Sequence, residues 1–189
     1  MPAYDLVVVG HFALDVIIKG GRPVQGALGG PPTYASIAAR KMGASVGVIS
    51  KVGDDFSVEY IRFLTSKGVD LFGLKIIEGA KTTNYVLEYT DGDRRLFLRA
   101  KAPPITPEDV PDDMAARAVL LAPIAGEASG PLVDRLRRRT EYLCLDPQGF
   151  VRFFRRDGSV GLGRWFDRAI LSQVDMLKAS LGEYEHIMG

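Results

Sequence analysis

The stretch "GALGGPPTYASIAARKMGA", residues 26–44, decides how this chain is read. Gly29 and Gly30 are followed by Pro31 and Pro32, and an apolar pattern of helical period begins near Thr33. Proline at a helix start costs little, because its missing N–H has no intrahelical partner there. Glycine, without a Cβ, permits either a tight turn or the close approach of a ligand to the backbone. The first helical turn would also offer unpaired N–H groups to such a ligand. Both readings of the glycines stay open at this point. Working outward, the β-branched runs "LVVVG" from Leu6 and "VGVIS" from Val46 flank the stretch as strands.

The alternation continues along the chain. An amphipathic segment runs from Asp55 to Lys67, "GLKII" starts at Gly73, "AVLLA" at Ala118, and a helix spans about Glu127 to Arg139. "YLCLD" follows from Tyr142, "VDMLK" from Val174, and a last helix from Ser180. Near-continuous apolar strands separated by crossover helices imply a doubly wound α/β fold: a mainly parallel sheet covered on both faces. Two stretches break that rhythm. "TTNYVLEYTDGDRRLFLRA" alternates with period two around Asp91-Gly92, a hairpin signal, and "ALDVIIKGGRPVQGAL" does so around Gly20-Gly21. Neither carries a crossover helix. They are expected to pair into a small β-lid, from about 11–28 and 82–100, inserted in one α/β domain over 1–189.

Composition narrows the function classes. With 189 residues and 47% hydrophobic content the chain can bury a core, and 24 Lys+Arg against 23 Asp+Glu give no basic excess for nucleic acid. The run Arg135, Arg137, Arg138, Arg139 reads as the solvated end of a helix. No apolar stretch approaches a membrane span, and the N-terminus has no positive leader, so a cytoplasmic protein without membrane contact is expected. The single Cys144 reads as a small buried hydrophobe of a reducing compartment. The two histidines, His11 and His186, make no zinc cluster.

Ligands of open α/β sheets sit beyond the carboxyl ends of the strands, where Gly29 and Gly30 stand. The turn is neither a P-loop nor a G-x-G-x-x-G fingerprint. Asp15 is a lone carboxylate in apolar "FALDVII"; ionised, it needs donors, from a polyhydroxylated ligand or from a cap or a lid arginine. In "KVGDD", Asp54 or Asp55 reads as a helix N-cap. "DPQGF", from Asp146, is a strand-end turn whose Asp, Gln and Gly would face the same cleft.

Together these pieces resemble the ribokinase-like, PfkB-type family of sugar and nucleoside kinases. "VVVGHFALDVI" is similar to its first strand and sugar-binding Asp, here Asp15, and "GGPPTYASIAARKMGASVGVISKVGDD" to its first signature. "SKGVD", residues 66–70, and the hairpin from Thr82 also resemble the family's pattern, the hairpin being similar to part of its β-lid. "DMLKASLGEYEHIMG" resembles the stretch with the N-x-x-E motif, so the resemblance makes Glu183 a ligand of magnesium through water, although Ser180 replaces the Asn. Tyr34 stands where the family commonly has Asn. "APIAGE" and "LDPQGFVR" resemble the inositol-kinase-like branch. The resemblance thus implies Asp15, Gly29 and Gly30 as substrate-binding residues, joined by Tyr34, Glu127, Gln148 and Arg152.

The implied reaction moves the γ-phosphate of ATP, with Mg2+, to a hydroxyl of a sugar, polyol or nucleoside. The family's second signature, a Gly-Ala-Gly-Asp turn, supplies the anion hole and catalytic base and has no match here. No catalytic residue is therefore assigned, most of the nucleotide site is missing, and the chain alone is expected to lack kinase activity. A non-catalytic polyol-binding module and a structural remnant are the alternatives. A homodimer through the lid is expected, because exposed strand edges invite association.

Overall fold

The computed structural model describes residues 3–90, 93–165 and 168–189. Strand β1, Tyr4–Val9, holds the centre of the main sheet. Its Val7, Val8 and Val9 are all fully buried: Val7 and Val9 face one apolar cluster and Val8 the other. A strand buried on both faces is apolar at every position, which is why "VVV" shows no alternation. The chain leaves β1 for β2, Ala13–Lys19, and β3, Arg22–Gly29, then enters helix α1, Pro31–Lys41, and returns as β4, Val46–Gly53. Helix α2, Val58–Ser66, leads to β5, Asp70–Ile77. The hairpin β6, Asn84–Thr90, and β7, Asp93–Ala100, follows.

The second half supplies β8, Ala116–Leu121, α3, Gly130–Arg137, β9, Thr140–Leu145, and the short helix α4, Gln148–Val151. A small antiparallel pair, β10, Arg152–Phe154, and β11, Val160–Leu162, precedes β12, Met176–Leu177, and α5, Leu181–Met188. The main sheet has six strands in the order β12-β9-β8-β1-β4-β5, and every neighbouring pair is parallel. From β1 the chain fills one side, β4 and β5, and then crosses to the other, β8, β9 and β12. The order reverses beside β1, so a crevice opens beyond the carboxyl ends of β1 and β8. This is the doubly wound fold read from the sequence.

The two stretches without crossover helices form a separate four-stranded sheet, β3-β2-β6-β7. Two antiparallel hairpins are joined by parallel pairing of β2 with β6. Gly20 and Gly21, at φ 57° and 71°, make the first hairpin turn, matching the left-handed pair that type I′ requires. The Asp91-Gly92 turn lies outside the described residues. A cluster of Ala13, Tyr85, Ile124 and Ala125 seats this sheet on the main body.

Several local expectations are corrected. Helix α2 is capped by Ser57, whose side chain accepts from the Glu59 amide, and not by Asp54 or Asp55. Those carboxylates accept from the amides of Gly79 and Thr82 and tie down the loop into β6. Helix α3 begins at Gly130, leaving Glu127 in the preceding loop. "DPQGF" is not a bare turn, since α4 starts at its Gln148. Arg135 and Arg137 pair with Asp112 and Asp175, so this end of α3 is partly buried and cross-linked to its surroundings. Among the described residues no helix is long and apolar enough to cross a membrane.

Candidate functional site

A cavity of about 360 Å³ lies in the crevice beyond the main sheet, beneath the four-stranded sheet. That volume suits a small-molecule ligand. Its roof is one face of the lid: Ala13 and Asp15 from β2, Tyr85 and Leu87 from β6, Arg94 and Leu96 from β7. The spacing of two within each strand is the reason they share a face. Gly30, Pro31, Tyr34 and Ala35 from the start of α1 form one wall, and Ala122, Ile124, Asp146, Gln148 and Arg152 the other.

Asp15 is the polar centre of the roof. It stands opposite Ala27 in β3, at a register shift between Asp15 and Ile17, and its carboxylate lies against Gly29. A Cβ on Gly29 would fall 2.0 Å from Asp15 Oδ2, and one on Gly30 would fall 2.4 Å from the His11 carbonyl oxygen. Gly30 also sits at φ 84°, the left-handed region. The glycine pair thus serves first a close approach within the protein: Gly29 makes room for the carboxylate, and Gly30 lets the turn cross the backbone after β1. Among the described residues no donor reaches Asp15 Oδ1, although that atom is buried. Burial raises the carboxyl to about 6, against smaller opposing pulls from the Tyr85 amide and the Arg152 charge.

The start of α1 offers fewer free N–H groups than the sequence led us to expect. Pro31 and Pro32 carry no N–H, and the Thr33 amide is taken by the Gly30 carbonyl at 3.1 Å. Few free donors remain in this first turn. The wall accommodates neutral ligand atoms better than a phosphate.

Tyr34 is 65% exposed at the mouth of the cavity. Gln148 and Arg152 line the cavity as the sequence proposed. Arg152 Nη1 donates to the Ile124 carbonyl at 3.0 Å, and its guanidinium lies 5.7 Å over the Tyr85 ring. The Tyr85 hydroxyl donates to the same carbonyl at 2.5 Å. Asp146 accepts from Lys178 at 3.0 Å and from the Gln148 amide at 3.4 Å. Arg94 and Asp146 bring one further charge of each sign to the lining. Asp146 lines the cavity where the reading of "DPQGF" put it, whereas Tyr85 and Arg94 were not among the site residues proposed from the sequence. The period-two pattern of the hairpin places Tyr85 with Leu87 and Arg94 with Leu96, but it does not say which face looks inward.

Glu127 does not join the cavity lining. It is 1% exposed, and its carboxylate accepts from the His11 amide at 3.0 Å, the Ile124 amide at 3.0 Å and the Ala125 amide at 2.7 Å. Beside it His11 is fully buried, with Nε2 3.1 Å from the Pro103 carbonyl and Nδ1 2.8 Å from Thr83 Oγ1. A carbonyl only accepts, so Nε2 carries the proton and Thr83 donates to Nδ1. Desolvation holds this imidazole below its usual range, in the neutral form.

Glu183 is 8% exposed and closes a capping box at the start of α5: its Oε2 accepts from the Ser180 amide at 2.7 Å and hydroxyl at 2.9 Å. One carboxylate oxygen is therefore committed to the helix end. Among the described residues no group of three or more His, Cys, Asp or Glu side chains is placed to hold a metal ion. Glu183 therefore stands outside any such cluster.

The sequence matches the family described as "pfkB family carbohydrate kinase" over residues 3–119. It is 30% identical to the inositol 3-kinase of Zea mays, across 98% of this chain and 52% of the relative. It is 29% identical to the cytidine kinase of Thermococcus kodakarensis, across 92% of this chain and 60% of that protein. Among solved structures, a pyrophosphate-dependent kinase of the ribokinase family, complexed with a pyrophosphate analog and myo-inositol, superposes with a TM-score of 0.85. It shares 27% identity, over 97% of this chain and 64% of that one. The chain thus spans about half to two thirds of the length of these relatives. Sequence and architecture agree, and the chain belongs to the pfkB family of carbohydrate kinases, on its ribokinase-like, inositol-kinase-like branch.

Proposed function

We propose that residues 1–189 form the acceptor site and lid of a cytoplasmic phosphotransferase that phosphorylates a hydroxyl of a small polyol, a cyclic polyol such as myo-inositol being preferred. The observation that carries this is the buried, unpartnered Asp15 Oδ1 in the roof of the cavity. A carboxylate oxygen without a donor is costly, and a ligand hydroxyl is a donor of the right kind. The two positive and two negative side chains of the lining balance, which favours a neutral acceptor. In this reading Gln148 and Arg152 supply donors to ring hydroxyls. Leu87, Leu96, Leu120 and Ile124 meet the apolar C–H faces of the ring, and Tyr34 screens the mouth. Gly29 and Gly30 act by placing Asp15 and the turn, and Glu127 acts from behind the wall.

The donor is ATP with magnesium as the family resemblance implies, or pyrophosphate as for the solved relative named above. The general base and anion hole of the family's second signature are not among these residues. The 189-residue chain is therefore assigned acceptor binding without transfer, Glu183 serving α5. Lid-to-lid dimerisation belongs to the same proposal through β3, an edge strand of the small sheet, whereas the other edge strand, β7, is bridged at Phe97 by Ser159. The test is calorimetric titration with myo-inositol, fructose and cytidine, followed by a transfer assay with ATP-Mg2+ and with pyrophosphate. Binding of a polyol without product is expected. Saturable binding of none of the three overturns the acceptor assignment, and product formation overturns the lack of transfer.

A further inference from the structure

Glu127 lies behind the cavity wall, yet it is bonded to both pieces of chain that build the cavity. Its carboxylate gathers the His11 amide, from the segment after β1, and the Ile124 and Ala125 amides, from the loop after β8. Accepting at both oxygens from one loop fixes the orientation of the 124–125 peptides. The Ile124 carbonyl on that loop is the shared acceptor of the Tyr85 hydroxyl, from the lid, and of Arg152 Nη1, from β10. Tyr85 and Arg152 both line the cavity with Asp15. A continuous run of hydrogen bonds therefore leads from a fully buried carboxylate to two side chains of the ligand site.

We infer that Glu127 is a positioning residue for the acceptor site: it holds the Ile124 carbonyl where that atom latches the lid through Tyr85 and aims Arg152 into the cavity. The carboxylate touches no ligand. Its work is to set the direction of one carbonyl, and its removal lets Tyr85 and Arg152 lose their common anchor while each keeps its own packing. This inference rests on the proposed acceptor site for its ligand readout, and on the protein alone for a second readout.

Two variants test it, Glu127→Gln and Tyr85→Phe, with the double variant. Glu127→Gln keeps the shape but turns an amide toward backbone N–H groups. Tyr85→Phe keeps the ring and its packing and deletes only the latch, so it provides a reading even where Glu127→Gln fails to fold. Each single variant is expected to weaken myo-inositol binding by about threefold to tenfold, the worth of a lost hydrogen bond. The double variant is expected to lose little more than the worse single one, because both act on the same carbonyl. Fully additive losses overturn the relay, as does unchanged affinity in Tyr85→Phe.

The second readout is the titration of the Asp15 carboxyl, followed by carbon NMR in the ligand-free protein. The charged groups sharing the cavity with Asp15 are Arg94, Asp146 and Arg152, and the Tyr34 and Tyr85 phenols are the other titratable groups of the lining. Displacing Arg152 removes a positive charge from the carboxylate, so the Asp15 midpoint is expected to rise in Glu127→Gln and in the double variant. Loss of stability without movement of the aimed arginine would leave that midpoint where it was, and such a result overturns the inference. Should wild type bind none of the polyols, the acceptor assignment fails and the relay stands or falls on the Asp15 midpoint alone.

Discussion

Asp15 combines three properties: a buried oxygen without a donor, a cavity before it, and a carboxyl raised to about 6. Its folded value lies above the ordinary 3.8, so the stability it contributes is fully present below about pH 4 and is lost as the pH rises through about 6. Asp15→Asn removes that loss. The variant should gain thermal stability relative to wild type at pH 7, and the difference should vanish near pH 4, read as melting temperature against pH. A melting-temperature difference independent of pH would deny the raised carboxyl. Ligand affinity runs the other way: the ionised form is the stronger acceptor for a hydroxyl, so wild-type affinity should increase through pH 6. In Asp15→Asn it should fall by about tenfold to a hundredfold, the scale of charge-assisted hydrogen bonds.

The turn between β3 and α1 and the cap of α5 show how one motif answers to different demands. At Gly30, φ is 84° and a Cβ would meet the His11 carbonyl oxygen at 2.4 Å. Gly30→Ala should therefore cost about 1–3 kcal/mol or more in urea unfolding, from left-handed strain together with the clash. A cost within a few tenths of a kcal/mol would mean the turn relaxes freely. At the other end of the chain, the capping box makes Glu183 a helix-end residue. Glu183→Gln should lower stability by about 0.5–2 kcal/mol, as lost caps do, and leave polyol binding unchanged. A loss of polyol affinity without a loss of stability would place Glu183 in the site instead.

At the scale of the molecule, the six-stranded sheet provides the floor and the four-stranded sheet the roof, so the ligand would be held between two bodies of the fold. The lid is tied at its root by the Thr83 hydroxyl to His11 and by the Tyr85 hydroxyl to the Ile124 carbonyl. Bound polyol bridging Asp15 to the wall adds a third tie. Amides of β2 and β6 should then exchange with deuterium at least several-fold more slowly in saturating myo-inositol, while those of β5, remote from the cavity, stay unchanged. Equal slowing everywhere would indicate global stabilisation without closure of the lid.

The alternation of apolar runs and helical stretches in the sequence determined the doubly wound sheet, and period-two patterning around turn glycines determined the separate lid. Asp15 stood out as a carboxylate in an apolar strand, and Gly29-Gly30 as a pair placed either for a tight turn or for close approach of a ligand. Tertiary structure alone decided what those residues meet. Glu127 lies 116 residues from His11 and accepts its amide; nothing local to "APIAGE" tells whether that carboxylate faces a ligand or the backbone behind it. Tyr85 and Arg94 likewise became site residues only once the roof had an inner face. The reason is physical: periodicity along the chain sets an element and its faces through contacts of a few residues. The partner of a buried polar group is set by register and packing between segments far apart in sequence.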